Sequence, residues 1–172
     1  LLFLAAEFAA RCGGYHRTLR YERQGDLLFT PVPNQFCLEK ISLSPSHINN
    51  YGLRGPDVPP DQLARRIVLC LGDSVTYGYG VSDTNTWPAQ LQQVLDGARP
   101  GEFLVLNGGV NAYPISFMHQ KFLHLWRLAI RPETVVVAYS LNEGWLGDLV
   151  DADSGRKDAF ERRVRLKNFL RS

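Results

Sequence analysis

The sequence predicts an α/β fold: a three-layer doubly wound parallel sheet, incomplete, with an irregular β lead-in before it. Three observations predict it. Short apolar runs recur after residue 66, segments with helical periodicity separate them, and turn-forming residues dominate the stretch from about 15 to 60. Strands joined by helices of this length pair in parallel through right-handed crossovers, which gives a doubly wound sheet.

The strands are predicted at three apolar runs, at residues 67–71, 103–106 and 134–139. The first run contains no charged residue, so we expect it to be covered on both faces. A shorter β-like run at residues 26–30 lies in the lead-in, where one interpretation is a hairpin.

Two helices are predicted between these strands. The first covers residues 86–96, with Thr86 as its cap, Pro88 in its first turn and Gly97 as its stop. The second begins at Pro114, and its predicted apolar stripe consists of Ile115, Met118, Phe122, Leu125, Trp126 and Ala129.

The chain is predicted to divide into three parts. Residues 1–14 are apolar and have two interpretations: the tail of a membrane anchor or signal segment, or an amphipathic helix with Leu1, Leu4 and Phe8 on one face. Residues 15–62 form the lead-in, and Pro59 and Pro60 mark its end. Residues 63–172 are expected to form the α/β part, with an incomplete sheet.

Composition excludes several classes of function. A net charge of +2 from 19 basic and 17 acidic side chains is too balanced for an electrostatic nucleic-acid binder. Cys12, Cys37 and Cys70 lack the close spacing of a zinc or dithiol motif, and Cys70 is expected to be a buried, inert thiol. The aspartates near residue 150 lack the pattern of a calcium loop. No cofactor and no metal is therefore expected.

Polar and glycine residues follow each predicted strand. The loops that leave the carboxyl ends of parallel strands lie side by side, and ligands bind there. The first loop carries Gly72, Asp73 and Ser74, the second spans residues 107–113, and the third, at 140–144, carries Asn142. A hydroxyl, glycine-freed backbone N–H groups and an amide are the parts of acyl transfer, a nucleophile with donors for the developing oxyanion.

Three stretches resemble the motif blocks of the SGNH (GDSL) hydrolases: GDSVTYGYG at 72–80, LNGGVNAY at 106–113 and SLNEG at 140–144. The stretch INNYGLRGP at 48–56 resembles the lead-in of bacterial, often membrane-anchored members. The resemblance covers residues 45–145. It implies a flavodoxin-like sheet and a serine ester hydrolase of the bacterial cell envelope, periplasmic or membrane-anchored, with a cytoplasmic location as the alternative.

The resemblance also implies roles for individual residues. Ser74 would be the nucleophile and, through its backbone N–H, the first oxyanion donor, while Gly72 and Asp73 shape the turn. Ala112 stands at the family's oxyanion glycine and would donate its N–H, with the Gly109 N–H as the alternative. Asn142 would supply the side-chain donor. Two structural alternatives remain: Ser74 as a helix cap, and Asn142 in an Asx-turn.

The general base is the missing part. The family places an Asp-x-x-His block near the C-terminus, whereas no histidine follows His124 here. His119 and His124 are expected to be ordinary helix residues, and His47 would approach the site only if the lead-in folded over it. The resemblance thus implies that the chain ends before its base and is, by itself, inactive or much impaired. The final amphipathic segment, residues 156–171, is expected to present a solvated basic face.

The sequence leaves three hypotheses for the function of this protein. The favoured one is hydrolysis of acyl or acetyl esters carried by small molecules, carbohydrates or lipids, a substrate class that the resemblance implies. An acyltransferase that passes the acyl group to a sugar hydroxyl would use the same site. The third is a binding module whose glycine loops cradle an anion, although the first loop lacks the Gly-x-Gly-x-x-Gly spacing and the lysine of phosphate-binding loops.

Overall fold

The computed structural model describes residues 15–16, 18–24, 27–38 and 44–139. The elements, in chain order, are β1 (Tyr15–His16), β2 (Tyr21–Gln24), β3 (Leu27–Pro31), β4 (Gln35–Leu38), β5 (Pro45–Ile48), β6 (Arg66–Gly72), α1 (Ser74–Tyr77), α2 (Trp87–Ala98), β7 (Phe103–Asn107), α3 (Ile115–Arg127) and β8 (Pro132–Ala138). Short 3₁₀ helices occupy Pro60–Ala64 and Asp83–Asn85. The predicted segments at 1–14 and 156–171, together with Cys12 and Asn142, lie outside the described residues.

The predicted α/β class is confirmed. The described part of the main sheet has the order β7-β6-β8, and both pairings are parallel. The chain passes from the central strand to one side and then crosses to the other, which is the doubly wound arrangement. Leu69 of β6 lies opposite Leu106 on one side and Val135 on the other.

Strand β6 is buried on both faces, as its continuous apolar run predicts. Ile67, Leu69 and Leu71 belong to the main core cluster, to which α3 contributes Phe117, Met118 and Leu125. Val68 and Cys70 alternate with them and are also buried. The turn that carries Ser74 therefore follows the most buried strand of the described sheet.

Helix α2 confirms one predicted boundary and corrects the other. The Thr86 hydroxyl accepts a hydrogen bond from the Ala89 N–H at 3.3 Å and so caps the helix as predicted. Gly97 does not end it, because the helix continues to Ala98 and the Arg99 N–H closes it on the Leu95 carbonyl. Gly97 has no positive φ, and nothing lies within 4 Å of the place where a Cβ would be, so nothing at that position forces a stop.

The predicted apolar stripe of α3 is wrong in part. Met118 and Leu125 are buried as expected, but Ile115 and Trp126 are about half exposed, at 51% and 44%. The buried face includes Phe117 and, unexpectedly, Lys121, which has no exposure at all. A hydrophobicity pattern treats lysine as a surface residue. The predicted buried face therefore differs from the observed one, which includes Lys121.

The lead-in forms two small sheets. One has the order β1-β4-β5, and the other is the antiparallel hairpin β2-β3. Phe29, Leu53 and Val58 of the lead-in belong to the same core cluster as Leu69. The backbone of Arg54 bridges Ile48 on one side and Asn107 on the other, so it joins the lead-in to the main sheet.

The outer edge of β7 is closed by a side chain. The Gln92 amide accepts the Val105 N–H at 2.7 Å and donates to the Phe103 carbonyl at 3.2 Å. It thus takes the place of a further strand on that edge.

None of the helices in the described ranges has the length and apolar character that a membrane crossing requires.

Candidate active site

The turn after β6 is organised by Asp73. Its carboxylate is buried and accepts the Val75 N–H at 2.9 Å, and its carbonyl accepts the Tyr77 N–H at 2.8 Å. Asp73 is therefore the N-cap of α1, and Ser74 is the first residue inside that helix. The alternative in which Ser74 caps the helix is wrong, because the capping position belongs to its neighbour.

Gly72 contacts both the second loop and the end of β8. Its carbonyl accepts the Val110 N–H of the second loop at 3.0 Å, and it lies opposite Ala138 of β8 in the sheet register. A Cβ at Gly72 would lie 2.0 Å from Thr76 Oγ1 and 3.1 Å from the Ala138 carbonyl oxygen. The close approach of three chain segments therefore requires glycine here.

Ser74 lies directly after Asp73, at the carboxyl end of β6. It is partly exposed, and its carbonyl accepts the N–H groups of Gly78 and Tyr79, both at 2.9 Å. Among the hydrogen bonds of the described residues, neither its hydroxyl nor its backbone N–H has a partner. Both groups are thus available to a ligand at the rim of the sheet.

The second loop is held against α1 by Asn107 and Gly109. The buried Asn107 side chain accepts the Gly109 N–H at 3.0 Å and donates to the Tyr77 carbonyl at 3.4 Å. The Gly108 N–H donates to the Cys70 carbonyl at 2.7 Å. The Gly109 N–H is therefore occupied within the protein, which weighs against its use as an oxyanion donor.

Ala112 adopts a backbone conformation that favours glycine. Its φ angle is 64°, in the left-handed region, and the residue is exposed. Its N–H donates no hydrogen bond in the described part of the chain, whereas the next N–H, of Tyr113, donates to the Val110 carbonyl at 3.1 Å. Non-glycine residues held in such a conformation cluster at functional sites.

The third loop is beyond the described residues. Strand β8 ends at Ala138, next to Gly72, and only Tyr139 follows before the described residues end. Asn142 therefore has no described position, and its assignment stays a prediction.

The histidines with described side chains have other surroundings. His47 stacks on Phe36 with ring centroids 4.1 Å apart, and its Nε2 lies 3.5 Å from Asp57 Oδ1. Burial, with help from the nearby Lys121 and Arg127 charges, lowers the pKa of His124. No hydrogen bond in the described ranges joins any histidine to Ser74.

Cys70 lies two residues before Gly72 on the buried strand. It has no solvent exposure, and burial raises the pKa of its thiol to about 12. A thiol with so high a pKa stays protonated at neutral pH and is a poor nucleophile. Within the described ranges, moreover, no cluster of three His, Cys, Asp or Glu side chains is arranged to hold a metal ion.

Sequence reasoning missed Arg54 as a residue of this region. Its guanidinium is buried and donates to the carbonyls of Tyr77 and Gly78, directly after α1. The only signal was the position of Arg54 inside INNYGLRGP, which gives no indication of what the side chain touches.

Comparisons with known proteins give a distant likeness. No protein-family model matches the chain, and no match was found among curated proteins. Among solved structures, it is similar to AlinE4, described as an SGNH-hydrolase family esterase, and to a mutant of that esterase. Each match has 23% identity and a TM-score of 0.37, and covers 62% of this chain and 54% of the other. The chain therefore spans about half the length of that esterase.

Proposed function

We propose that this chain carries the nucleophile and oxyanion-binding part of a serine ester hydrolase. The observation that supports the proposal most is the pairing of Ser74, whose hydroxyl and N–H have no partner among the described residues, with a second loop anchored at Gly72. Ser74 and Ala112 each lie two residues beyond the Gly72–Val110 hydrogen bond. Since consecutive Cα atoms are about 3.8 Å apart, both residues stay close to that bond.

In the proposed reaction, Ser74 Oγ attacks the carbonyl carbon of an ester. The proton of Ser74 passes to a general base, and the oxyanion is held by the N–H groups of Ser74 and Ala112 and by the Asn142 amide. The C–O bond of the ester then breaks, and the alcohol leaves with the proton from the base. Water attacks the acyl-serine next, releases the acid and restores Ser74.

We assign the second oxyanion donor to Ala112 rather than Gly109. The Gly109 N–H is occupied by Asn107, whereas the Ala112 N–H is unbonded among the described residues. We do not assign the base to His47, His119 or His124, because no hydrogen bond in the described ranges joins any of them to Ser74; we propose a histidine other than the four of this sequence. The proposed substrates are O-acyl esters of carbohydrates or lipids.

The experiment uses a fluorophosphonate probe, which reacts with activated serines. The full-length reading frame that contains this chain is compared with Ser74→Ala and with Ser82→Ala, a serine whose hydroxyl contacts Thr84 Oγ1 at 3.3 Å. We expect the parent and the Ser82 variant to be labelled, with the probe mapped to the peptide containing Ser74. Ester hydrolysis by the Ser74 variant should fall at least about 1,000-fold.

Three results would overturn the proposal. Equal labelling of the parent and Ser74→Ala would remove Ser74 as the nucleophile. Transfer of the acyl group to an added sugar alcohol in preference to water, measured by product analysis, would favour the acyltransferase instead. Absence of labelling in all three proteins would favour the binding module.

A further inference from the structure

Arg54 connects the lead-in to both loops of the candidate active site. Its backbone N–H donates to the Asn107 carbonyl at 3.1 Å, at the start of the second loop. Its side chain extends to the other loop, where Nη1 donates to the carbonyls of Tyr77 at 3.0 Å and Gly78 at 2.7 Å. One residue therefore bonds the segment after Ser74 and the strand end before Ala112.

The remaining donors of the Arg54 guanidinium reach further along the first loop. Nη2 donates to the Val81 carbonyl at 2.6 Å, and Nε donates to Asp83 Oδ1 at 2.8 Å. The guanidinium also lies over the Tyr77 ring, 4.6 Å from its centroid. The carbonyls at the end of a helix have no partner within it, so Arg54 supplies what α1 leaves unpaired.

The two loops are also tied to each other at the atoms that Arg54 contacts. The Tyr77 carbonyl accepts from Asn107 Nδ2 as well as from Arg54, and the other end of the Asn107 amide accepts the Gly109 N–H. A displacement of Arg54 would thus move the end of α1 and the base of the second loop relative to each other. Ser74 begins that helix, and Ala112 lies in that loop.

We propose that Arg54 is a positioning residue that sets the placement of the Ser74 hydroxyl relative to the Ala112 N–H. The inference rests on the proposed function, and it gives the lead-in a role in positioning the residues of the site. Arg54 itself does not touch the substrate, because its side chain is 1% exposed and its donors bind carbonyls and Asp83.

Lysine cannot replace arginine in this position. The Arg54 guanidinium directs bonds in one plane to three carbonyls and one carboxylate, whereas an ammonium group has three donors at a single point. Asp83 is the matching acceptor: its Oδ1 binds Arg54, and its Oδ2 accepts the His47 N–H at 2.8 Å. The carboxylate thereby joins the first loop to β5 of the lead-in.

The test compares Arg54→Lys with Arg66→Lys. Arg66 is a matched control because it also binds two partners, Glu102 and Glu133, and lies over an aromatic ring, that of Phe103. It stands at the opposite, N-terminal end of β6 and is exposed. Both variants are made in the full-length reading frame, and each is confirmed to be folded by circular dichroism below its melting temperature.

The first measurement is the rate of fluorophosphonate labelling at Ser74. We expect it to fall by about 10- to 100-fold in Arg54→Lys, because a small misplacement of reacting groups has that effect, and by less than about twofold in Arg66→Lys. For a soluble acetyl ester, kcat should fall while KM changes little. A residue with a merely structural role would lower the melting temperature and leave the labelling rate of the folded protein unchanged.

The second measurement does not depend on catalysis. Amide hydrogen exchange should rise at residues 75–82 and also at 108–113 in Arg54→Lys, and at neither segment in Arg66→Lys. If Ser74→Ala is labelled like the parent, the proposed function fails, yet the exchange data still decide whether Arg54 couples the two loops. A parental labelling rate, or exchange that rises only at 75–82, overturns the inference.

If Arg54→Lys does not fold, Asp83→Asn takes over the test. This variant keeps Arg54 and its carbonyl bonds, and removes the charge that orients the guanidinium. We expect a labelling rate about 3- to 10-fold below the parent, together with faster exchange at 108–113. A parental rate with parental exchange in the Asp83 variant overturns the inference.

Discussion

Gly109 packs directly against the backbone of Tyr77. A Cβ at Gly109 would lie 2.2 Å from the Tyr77 nitrogen and 2.6 Å from the Thr76 carbonyl carbon. No side chain fits at that separation, so the second loop and α1 approach each other as closely as they do only because residue 109 is glycine.

Gly109→Ala should therefore destabilise the protein and separate the two loops. We expect the free energy of unfolding to fall by about 3 kcal/mol, since the neighbouring atoms belong to backbone that has to move. Chemical denaturation measures this change. Gly97→Ala in α2 is the control: nothing lies within 4 Å of its Cβ, so we expect stabilisation by about 0.5 to 1 kcal/mol. If Gly109→Ala did not lower the free energy of unfolding relative to Gly97→Ala, the packing argument would be contradicted.

Ala112→Gly should be tolerated or favourable. The φ angle of 64° strains an alanine by about 1 kcal/mol or slightly more, and glycine removes that strain while making the unfolded chain more flexible. We expect the free energy of unfolding to rise by up to about 1 kcal/mol, and Ser74 to be labelled at least as fast as in the parent.

Ala129 provides a matched comparison, because it has the same φ of 64° at the end of α3. Ala129→Gly should change stability in the same direction without changing the labelling rate. Ala112→Val should lower both, since a β-branched residue is poorly suited to this conformation. Faster labelling in the Ala129 variant, or an unchanged rate in Ala112→Val, would count against the role given to Ala112.

Lys121 should make stability depend on pH. Its Nζ is fully buried and donates to Thr30 Oγ1 at 2.7 Å and to the Gly52 carbonyl at 3.3 Å, with no carboxylate bonded to it in the described part of the chain. Burial lowers the pKa of Lys121 to about 7, from an ordinary value of 10.5.

The sign of the effect follows from proton binding. Between the two pKa values, the unfolded chain holds a proton on Lys121 that the folded protein has released. The free energy of unfolding therefore rises with pH in this window, by up to about 1.4 kcal/mol per pH unit. Below the lower pKa both states hold the proton, so Lys121 makes the free energy of unfolding no more dependent on pH there. Lys121→Met should remove that slope.

Urea denaturation of the parent and of Lys121→Met between about pH 7.5 and 8.5 tests this expectation. The range stays below the region where the buried Cys70 thiol acts in the opposite direction, because its pKa is raised to about 12 and an unfolded thiol ionises near 9.0. Parallel slopes for the two proteins would show that Lys121 does not titrate as described.

Part of the fold follows from local pattern alone. The apolar run of β6, the spacing of α2 and the Thr86 cap are each visible in a few neighbouring residues, and each appears where it was predicted. Helix ends and faces were harder to predict. Gly97 continues a helix that it was expected to stop, and the helix ends one residue later, at Ala98.

The candidate site divides in the same way. The positions of Ser74 and Ala112 after two parallel strands were predictable, because the carboxyl ends of such strands share one edge of the sheet. The involvement of Arg54 was not, because its side-chain partners lie 23 to 29 residues further along the chain. No periodicity or capping rule extends over that distance.

The sequence by itself determined the order of the three parallel strands and of the two longer helices, and it predicted a hydroxyl in a tight turn at the rim of the sheet. Only the tertiary structure decided that Asn107 occupies the Gly109 N–H, that Ala112 takes a left-handed conformation and that Lys121 and Arg54 are buried. The physical reason is that secondary structure depends on neighbours in the chain. The exposure and hydrogen bonding of a polar group depend instead on segments that reach it only when the chain has folded.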